Sequence, residues 1–412
     1  MKLTQQIRIK PTKQQEDILW KLSEKCRLIY NFALTERIYC WDLGIKGINY
    51  YSQQNNLPKL KKKYPDYKIV YSKVLQYILR TLDADYKSFF ALWKKGDKDA
   101  KPPKYKGKEH FTTMVYNQSG FKVKDGKIRL TQYYDKQQHL EFDIPEKFKF
   151  DKIYQISVYQ KDNNFYISVT YEKQEKEFVD NGLYQAIDLG ITNIITAVNS
   201  RGKFLQIKNK RPDKYWLPKI KKIQSRRDHC KKKSRKWNKL NKNMNKMKRK
   251  SANQIRDFQH KLSRKIVDNT KANTIIVGDL AVKKMGRKGG VKKRGLNRAI
   301  QNTGTLGRFV RFLTYKAKIV GKRVKETSEY KTSKECCCCG KEWEMDLSIR
   351  TMKCDCGNEM DRDENSSVNI MTRFLSRNGL WTALSEFQAN LRQTGIPIQV
   401  LHSQEASSFR VR

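Results

Sequence analysis

The chain has 412 residues, with 88 Lys and Arg against 41 Asp and Glu and a formal charge of +47. A fold gains no stability from such an excess; a polyanion relieves its self-repulsion, because neutralised phosphates release condensed counterions. No apolar run reaches the roughly 18 residues of a spanning helix, and the opening MKLTQQIRIKPTKQQ has no apolar leader core, so the sequence predicts a cytoplasmic, nucleic-acid-binding protein (nucleoid-associated when on DNA) rather than a membrane one.

Leu3 to Lys10 alternates polar and apolar residues and stops at Pro11, which predicts a strand. A helix is predicted from Thr12, with Ile18, Leu22, Cys26, Ile29, Tyr30 and Ala33 at helical spacing. Another covers Tyr71 to Trp93, where Val74, Leu75, Ile78, Leu79 and Leu82 share a face. The Lys-, Gly- and Pro-rich stretch Lys94 to Glu109 marks a boundary. Short strands follow between Phe111 and Gln174, at Lys127–Leu130, His139–Phe142, Ile153–Gln160 and Asn164–Tyr171, separated by turn signals such as Asp125-Gly126. They read as a small β-barrel.

A new unit opens at Tyr184–Asp188, an apolar strand ending in Asp-Leu-Gly. Strands Ile194–Val198 and Lys203–Ile207 follow, then a long basic helical region from Lys214 to about Thr270, in which Asp228 is the sole acid before Lys250. Thr274–Leu280 is a buried strand. A basic glycine loop (Lys283–Arg298), a helix over about Gly304–Val320 and a strand Arg323–Glu329 complete the pattern. This order suits an RNase H-like α/β layer.

A metal-dependent nuclease of that layout holds two divalent ions with acids at element ends. Asp188 is one such acid, although an Asp at a strand exit also caps turns. Asp363, in MDRDENSSVNI at the start of a helix, is another, although Asp361 or Asp363 could serve only as an N-cap. Six of the nine cysteines fall between Cys336 and Cys356. Cys336-x-x-Cys339-Gly and Cys354-x-Cys356-Gly offer four thiolates for tetrahedral, structural zinc, with free thiols or an iron–sulfur cluster as alternatives. The second pair is one residue tighter than usual, and Cys337 and Cys338 compete as ligands. Trp216 and Trp237, set among lysines, suggest phosphate binding with some base stacking.

Ala186-Ile187-Asp188-Leu189-Gly190 resembles the first RuvC motif of TnpB proteins of bacterial insertion sequences, and Asp361-Arg362-Asp363-Glu364-Asn365-Ser366-Ser367-Val368-Asn369-Ile370 resembles their third. Ile9-Lys10-Pro11, Tyr30 to Leu34, Asn253 to Lys261 and the closing Gln404 to Arg410 also resemble the family. The family's second motif ends in Glu-Asp-Leu, whereas this chain has Gly278-Asp279-Leu280. It is similar here to the subgroup, related to the eukaryotic Fanzor proteins and to type V CRISPR effectors, whose glutamate comes later, just before Tyr-x-Thr-Ser-x-x-Cys. That residue is Glu329, with Asp279 or the less favoured Glu326 as substitutes.

The resemblance implies a multidomain α+β protein: an RNase H-like (RuvC) domain with an inserted zinc ribbon, preceded by a β-barrel carrying a helical insert. Residues 1–12 would be the first strand of the barrel (wedge) domain, 13–100 a helical recognition insert and 101–180 the rest of the barrel. Residues 181–330 would be the nuclease domain with its basic region at 214–270, 331–358 the zinc ribbon, 359–378 the final RuvC helix and 379–412 a flexible tail. It implies Asp188, Glu329 and Asp363 as catalytic ligands of two Mg²⁺ ions and Cys336, Cys339, Cys354 and Cys356 as Zn²⁺ ligands. The implied activity is RNA-guided cleavage of double-stranded DNA beside a short transposon-adjacent motif, with a transposon-end guide RNA as partner. A nuclease-inactive RNA-guided repressor and a RuvC-like nuclease or transposition factor without RNA are the alternatives.

Overall fold

The computed structural model describes residues 1–45, 47–135, 137–279, 306–344 and 349–398. It forms two compact units, Met1–Gln174 and Glu175–Arg412. In the first, the strands are β1 (Lys2–Ile9), β2 (Met114–Asn117), β3 (Phe121–Lys124), β4 (Lys127–Leu130), β5 (Leu140–Asp143), β6 (Ile153–Lys161) and β7 (Asn164–Glu172). Thr12 then starts the helix Lys13–Asp42 through a capping box: its hydroxyl accepts from the Gln15 N–H, and its own N–H donates to the Gln15 side chain. Two antiparallel sheets form, β1-β7-β6-β2 and β3-β4-β5. The barrel expected from the sequence is thus a pair of sheets, and no strand pairing among the described residues joins them.

Three helices, Lys13–Asp42, Tyr50–Lys63 and Ser72–Lys94, complete this unit. Ile7 and Ile9, Leu19, Leu22 and Leu34, Val74, Leu75 and Leu82, and Ile156 and Val158 meet in one core. The middle helix escapes periodicity analysis because it buries only Gln53 and Leu57.

The second unit is built on β8 (Tyr184–Asp188), β9 (Asn193–Asn199), β10 (Phe204–Lys208), β11 (Thr274–Gly278) and β12 (Arg323–Thr327), in the order β10-β9-β8-β11-β12. The first three pair antiparallel; β11 lies parallel to both β8 and β12. This three-strand meander, extended by two parallel strands, is the RNase H-like arrangement expected. Helix Arg362–Arg377 covers one face with Val368, Ile370 and Met371. Helices Arg235–Asn269 and Leu306–Ile319 cover the other with Leu262, Ile266, Phe309 and Leu313. Strand β11 is buried throughout, which explains its unbroken apolar run. Because β8, β11 and β12 run parallel, Asp188, Gly278 and Thr327 arrive at the same sheet end.

The basic region is two helices, Pro212–Asp228 and Arg235–Asn269, rather than one. Lys233 adopts a left-handed φ of 68°, and Ser234 caps the second helix by accepting from the Trp237 N–H at 3.2 Å. The tail expected to be flexible from residue 379 is helical over Trp381–Gln393. Its Leu384, Phe387 and Leu391 form one apolar stripe buried in the same core as Phe374. The basic loop Lys283–Arg298 and residues 399–412 lie outside the described residues. Among the described residues no helix is long and apolar enough to cross a membrane.

Among the described residues of the second unit, one lysine is buried. Lys316 is 5% exposed, and its ammonium donates to the His260 carbonyl at 2.6 Å and to the Ser263 hydroxyl at 2.8 Å. Burial pushes its pKa down to about 8. Between about pH 8 and pH 10.5 the unfolded chain binds the extra proton, so stability rises with pH across that window and is flat in this respect below it. As pH climbs from 8 to 10, chemical denaturation should therefore show the parent gaining stability relative to Lys316→Met. A constant difference over that range contradicts the assignment.

Candidate functional site

Asp188 is the last residue of β8, where the sheet's parallel strands end. Gly190 follows it, and a Cβ there would lie 2.5 Å from the Asn193 carbonyl oxygen, so the exit to β9 requires glycine. Asp363 sits in the first turn of helix Arg362–Arg377 and is buried. The N-cap is Asp361, whose carboxylate accepts from the N–H groups of Asp363 and Glu364 at 2.8 and 3.3 Å. Asp363 is thereby freed from capping, and Asn193 donates to it from the β8–β9 side at 3.4 Å.

Glu329 lies two residues beyond the end of β12 and is half-buried. It fills the space that a side chain at 278 would occupy: a Cβ on Gly278 would meet Glu329 Oε2 at 2.5 Å and Glu329 Cβ at 3.1 Å. The glutamate carboxylate thus stands over β11, at the strand position where the family's usual glutamate would start. Burial, then the charges of Asp363 and Glu329, push the Asp188 carboxyl up to about 8. Burial and Asp279 push Glu329 up to about 7. Asp188 is therefore close enough to both Asp363 and Glu329 to be repelled by them, and Asp279, exposed just past the end of β11, stands near Glu329. Glu326 is exposed on β12, paired in register with Val277.

Such a crowd of carboxylates calls for positive charge. The protein supplies some: Arg350 reaches both Asp363 oxygens at 3.3 Å and the Thr192 hydroxyl at 2.8 Å. The remaining donor set is hard oxygen, which suits Mg²⁺ or a similar divalent ion. Among the described residues, only four cysteines form a set of three or more donors all within 4.8 Å of one another. The three acids do not form such a set.

Those cysteines are Cys336, Cys339, Cys354 and Cys356. The Sγ atoms of Cys336 and Cys356 are 3.7 Å apart, and those of Cys339 and Cys354 are 3.5 Å apart. Zinc–thiolate bonds of about 2.3 Å in a tetrahedron place sulfurs about 3.8 Å apart, so the cage fits Zn²⁺ and is too open for disulfides. Gly340 and Gly357, each after a cysteine pair, take φ of 74° and 85°, the left-handed turn that a knuckle needs. Cys338 is buried and Cys337 approaches Met360 Sδ at 3.5 Å; neither belongs to the cage.

The sequence reading missed what holds these parts together. Asn365, Ser366, Asn369 and Arg373 lie along one side of helix Arg362–Arg377, and all four bond to the segment between Glu329 and the first cysteines. Their signal was present, as polar residues at helical spacing (365, 369 and 373) along one face of the helix. Trp216 and Trp237, expected to offer faces to bases, are half-buried: Trp216 donates to Gln254 at 2.7 Å, and Arg227 stacks over Trp237. Tyr215 is 60% exposed on that hairpin, with the Lys219 ammonium 3.8 Å from its ring centroid.

Comparison with known proteins follows the same division. Residues 1–46 match a family model described as a helix-turn-helix domain, 166–288 one described as a probable transposase, and 307–370 one described as a Cas12f1-like TNB domain. A Streptomyces pristinaespiralis protein, provisionally named an RNA-guided DNA endonuclease, is 26% identical over 374 residues, covering 90% of this chain and 88% of that protein. A TnpB-like protein of Acanthamoeba polyphaga mimivirus is 34% identical over 140 residues, 34% of this chain and 26% of its own length. Among solved structures, the protein of a Cas12f1–sgRNA–target DNA complex superimposes with a TM-score of 0.55 at 13% identity, over 87% of this chain and 83% of that one, a likeness of fold. Taken with the motifs around Asp188 and Asp363, these matches support a likeness to the TnpB family.

Proposed function

We propose that the protein is an RNA-guided DNA endonuclease, and that Asp188, Glu329 and Asp363 hold the divalent ions of its nuclease centre. The observation that carries this reading is the meeting of three sequence-distant acids at one sheet end, with Glu329 in the space left by Gly278. A pair of Mg²⁺ ions bound there would supply activation of the attacking water and neutralisation of the leaving oxygen. The chain's own residues do the rest. Strand β8 fixes Asp188, and Ser366 donates a hydrogen bond to its carboxylate. The capped helix start fixes Asp363. Arg350, at the rim, shields Asp363 from its neighbours and offers a guanidinium to an incoming phosphate.

The partners follow from charge and kinship. The +47 chain meets nucleic acid, and both the named Streptomyces relative and the Cas12f1 complex support a guide RNA and a DNA target. In that scheme base pairing reads the target while the protein reads a short flanking motif. Zn²⁺ in the four-cysteine cage has no open position and a structural role. The finer division of the first unit, a wedge formed by 1–12 and 101–180 around a recognition insert at 13–100, is part of this proposal.

The test is cleavage of a guide-matched plasmid in Mg²⁺ by protein purified with its RNA. Asp188→Ala and Asp363→Ala should each lower the rate by at least about 10²-fold and leave target binding intact in a mobility-shift assay. Asp279→Ala should retain measurable cutting. A parent protein that binds matched DNA without cutting it supports the repressor reading instead, and one that copurifies with no RNA supports the unguided nuclease.

A further inference from the structure

Strand pairing ends at Thr327, yet Glu329 must be held as firmly as Asp188. From Glu329 to Cys337 the chain pairs with another extended segment, among the described residues, only at the Glu335–Glu342 bridge; helix Arg362–Arg377 grips the rest. The Asn365 amide donates to the carbonyls of Thr332 (3.3 Å) and Glu335 (2.7 Å), and the Asn369 amide donates to the same two at 2.9 and 2.7 Å. Asn365 Oδ1 accepts from the Cys337 N–H at 2.9 Å. The Thr332 hydroxyl donates to the Glu329 carbonyl at 3.0 Å and lies 2.9 Å from the Ser366 hydroxyl, while the Thr332 N–H reaches that carbonyl at 3.2 Å. Arg373 closes the grip on the Tyr330 carbonyl and the Glu335 carboxylate. Asn365, Asn369, Thr332 and Ser366 are all buried, where every amide and carbonyl needs its partner.

We infer that Asn365 and Asn369 are positioning residues for Glu329, a clamp that sets the relocated carboxylate against those of Asp188 and Asp363. Residues 365 and 369 are one helical turn apart on the face that meets the loop. The helix that carries Asp363 directly therefore also carries Glu329 through Thr332, and reaches Asp188 through Ser366. Asn365 also seats Cys337, next to zinc-cage residue Cys336, so the acid centre and the cysteine cage share that anchor, whereas Asn369 bonds only Thr332 and Glu335. Two side chains doing this on one loop exceed what helix packing alone requires, since each gives both amide hydrogens to the same pair of carbonyls.

The inference rests on the proposed acid centre, and the test separates the two. Mn²⁺ binding to the full-length chain is followed by electron paramagnetic resonance, with zinc content and thermal melting measured beside it. Asn369→Asp keeps the shape but presents oxygen to the two carbonyls. It should weaken Mn²⁺ binding about tenfold while zinc content stays whole. In a Glu329→Gln background the same change should cost nothing further, because the residue it acts through is already silenced. An equal loss in both backgrounds, or none in the parent, overturns the clamp. If Glu329→Gln itself leaves Mn²⁺ binding unchanged, the acid centre is wrong and the clamp falls with it. Thr332→Val, which cuts the link to the Glu329 carbonyl and to Ser366, carries the same expectation should Asn369→Asp fail to fold.

Discussion

Adding a single methyl group at residue 278 should silence cleavage as thoroughly as deleting the carboxylate of Glu329. A Cβ at 278 would lie 2.5 Å from Glu329 Oε2, 3.1 Å from Glu329 Cβ and 3.3 Å from Ile370 Cδ1. The carboxylate end could swing aside, but the Cβ contact and Ile370 leave it no room to return toward Asp188. Gly278→Ala should therefore fold, melt close to the parent and lose about 10²-fold or more in single-turnover cleavage, the scale expected when a metal ligand is misplaced. The compensating experiment is sharper. Gly278→Glu with Glu329→Ala moves the carboxylate back to the strand and empties the loop, so activity should return to within about tenfold of the parent. Gly278→Glu alone should stay inactive, because two glutamates then compete for one space beside Asp188. Full activity in Gly278→Ala would mean that Glu329 is not needed where it stands. Failure of the double variant, with Gly278→Ala and Glu329→Ala both dead, would mean that the loop carries more than the carboxylate.

How far the sequence alone led can be judged at that same place. Strand β8 was legible as an apolar run, but its terminal Asp188 read equally as a turn cap until the resemblance to the first RuvC motif was weighed; β11 was legible because a strand buried on both faces cannot hide its composition. Glu329 was legible only through resemblance. Nothing in Lys-Glu-Thr-Ser-Glu-Tyr separates an exposed charged strand end from a metal ligand until the neighbouring strand is seen to lack a side chain at 278. The four cage cysteines could be named from their glycine-flanked spacing, but which of six thiols closed the cage depended on packing, which leaves Cys337 against Met360 and Cys338 bonded to Cys336 from outside the set of four. Two misjudgements share a cause. The tail from 379 was expected to be flexible because its polar majority outweighs Leu384, Phe387 and Leu391, three residues that matter only because a buried surface awaits them. Trp216 and Trp237 were expected to meet bases because their neighbours in sequence are lysines, whereas their neighbours in space belong to the paired helix. Sequence spacing reports a residue's own element well and reports its partners poorly.

Removing the zinc should disable the nuclease centre from a distance. The ribbon's two strands, β13 (Thr351–Lys353) and β14 (Glu359–Asp361), have three residues each, too short a hairpin to persist unaided. What holds the segment is the cage of Cys336, Cys339, Cys354 and Cys356, and metal binding to such small modules is worth about 10–16 kcal/mol of folding free energy in isolated zinc peptides. Cys356→Ser should therefore empty the site, with bound zinc falling from about one per chain to near zero. The loss should propagate. Cys337 N–H bonds Asn365, Glu335 pairs with Arg373, and Arg350, on the approach to β13, bonds Asp363 and Thr192. An unfolded ribbon loosens all three, and with them the loop that presents Glu329. Cleavage should drop by at least about 10²-fold, whereas affinity for RNA, which draws on basic surface elsewhere in the chain, should change little. A strong zinc chelator should reproduce the defect in the parent, and added Zn²⁺ rather than extra Mg²⁺ should reverse it. Cys337→Ser and Cys338→Ala lie outside the cage and should keep both metal and activity. If either of those strips the zinc while Cys356→Ser retains it, the cage is built from a different four, and the route from the ribbon to Glu329 has to be redrawn through whichever thiol took the place of Cys356.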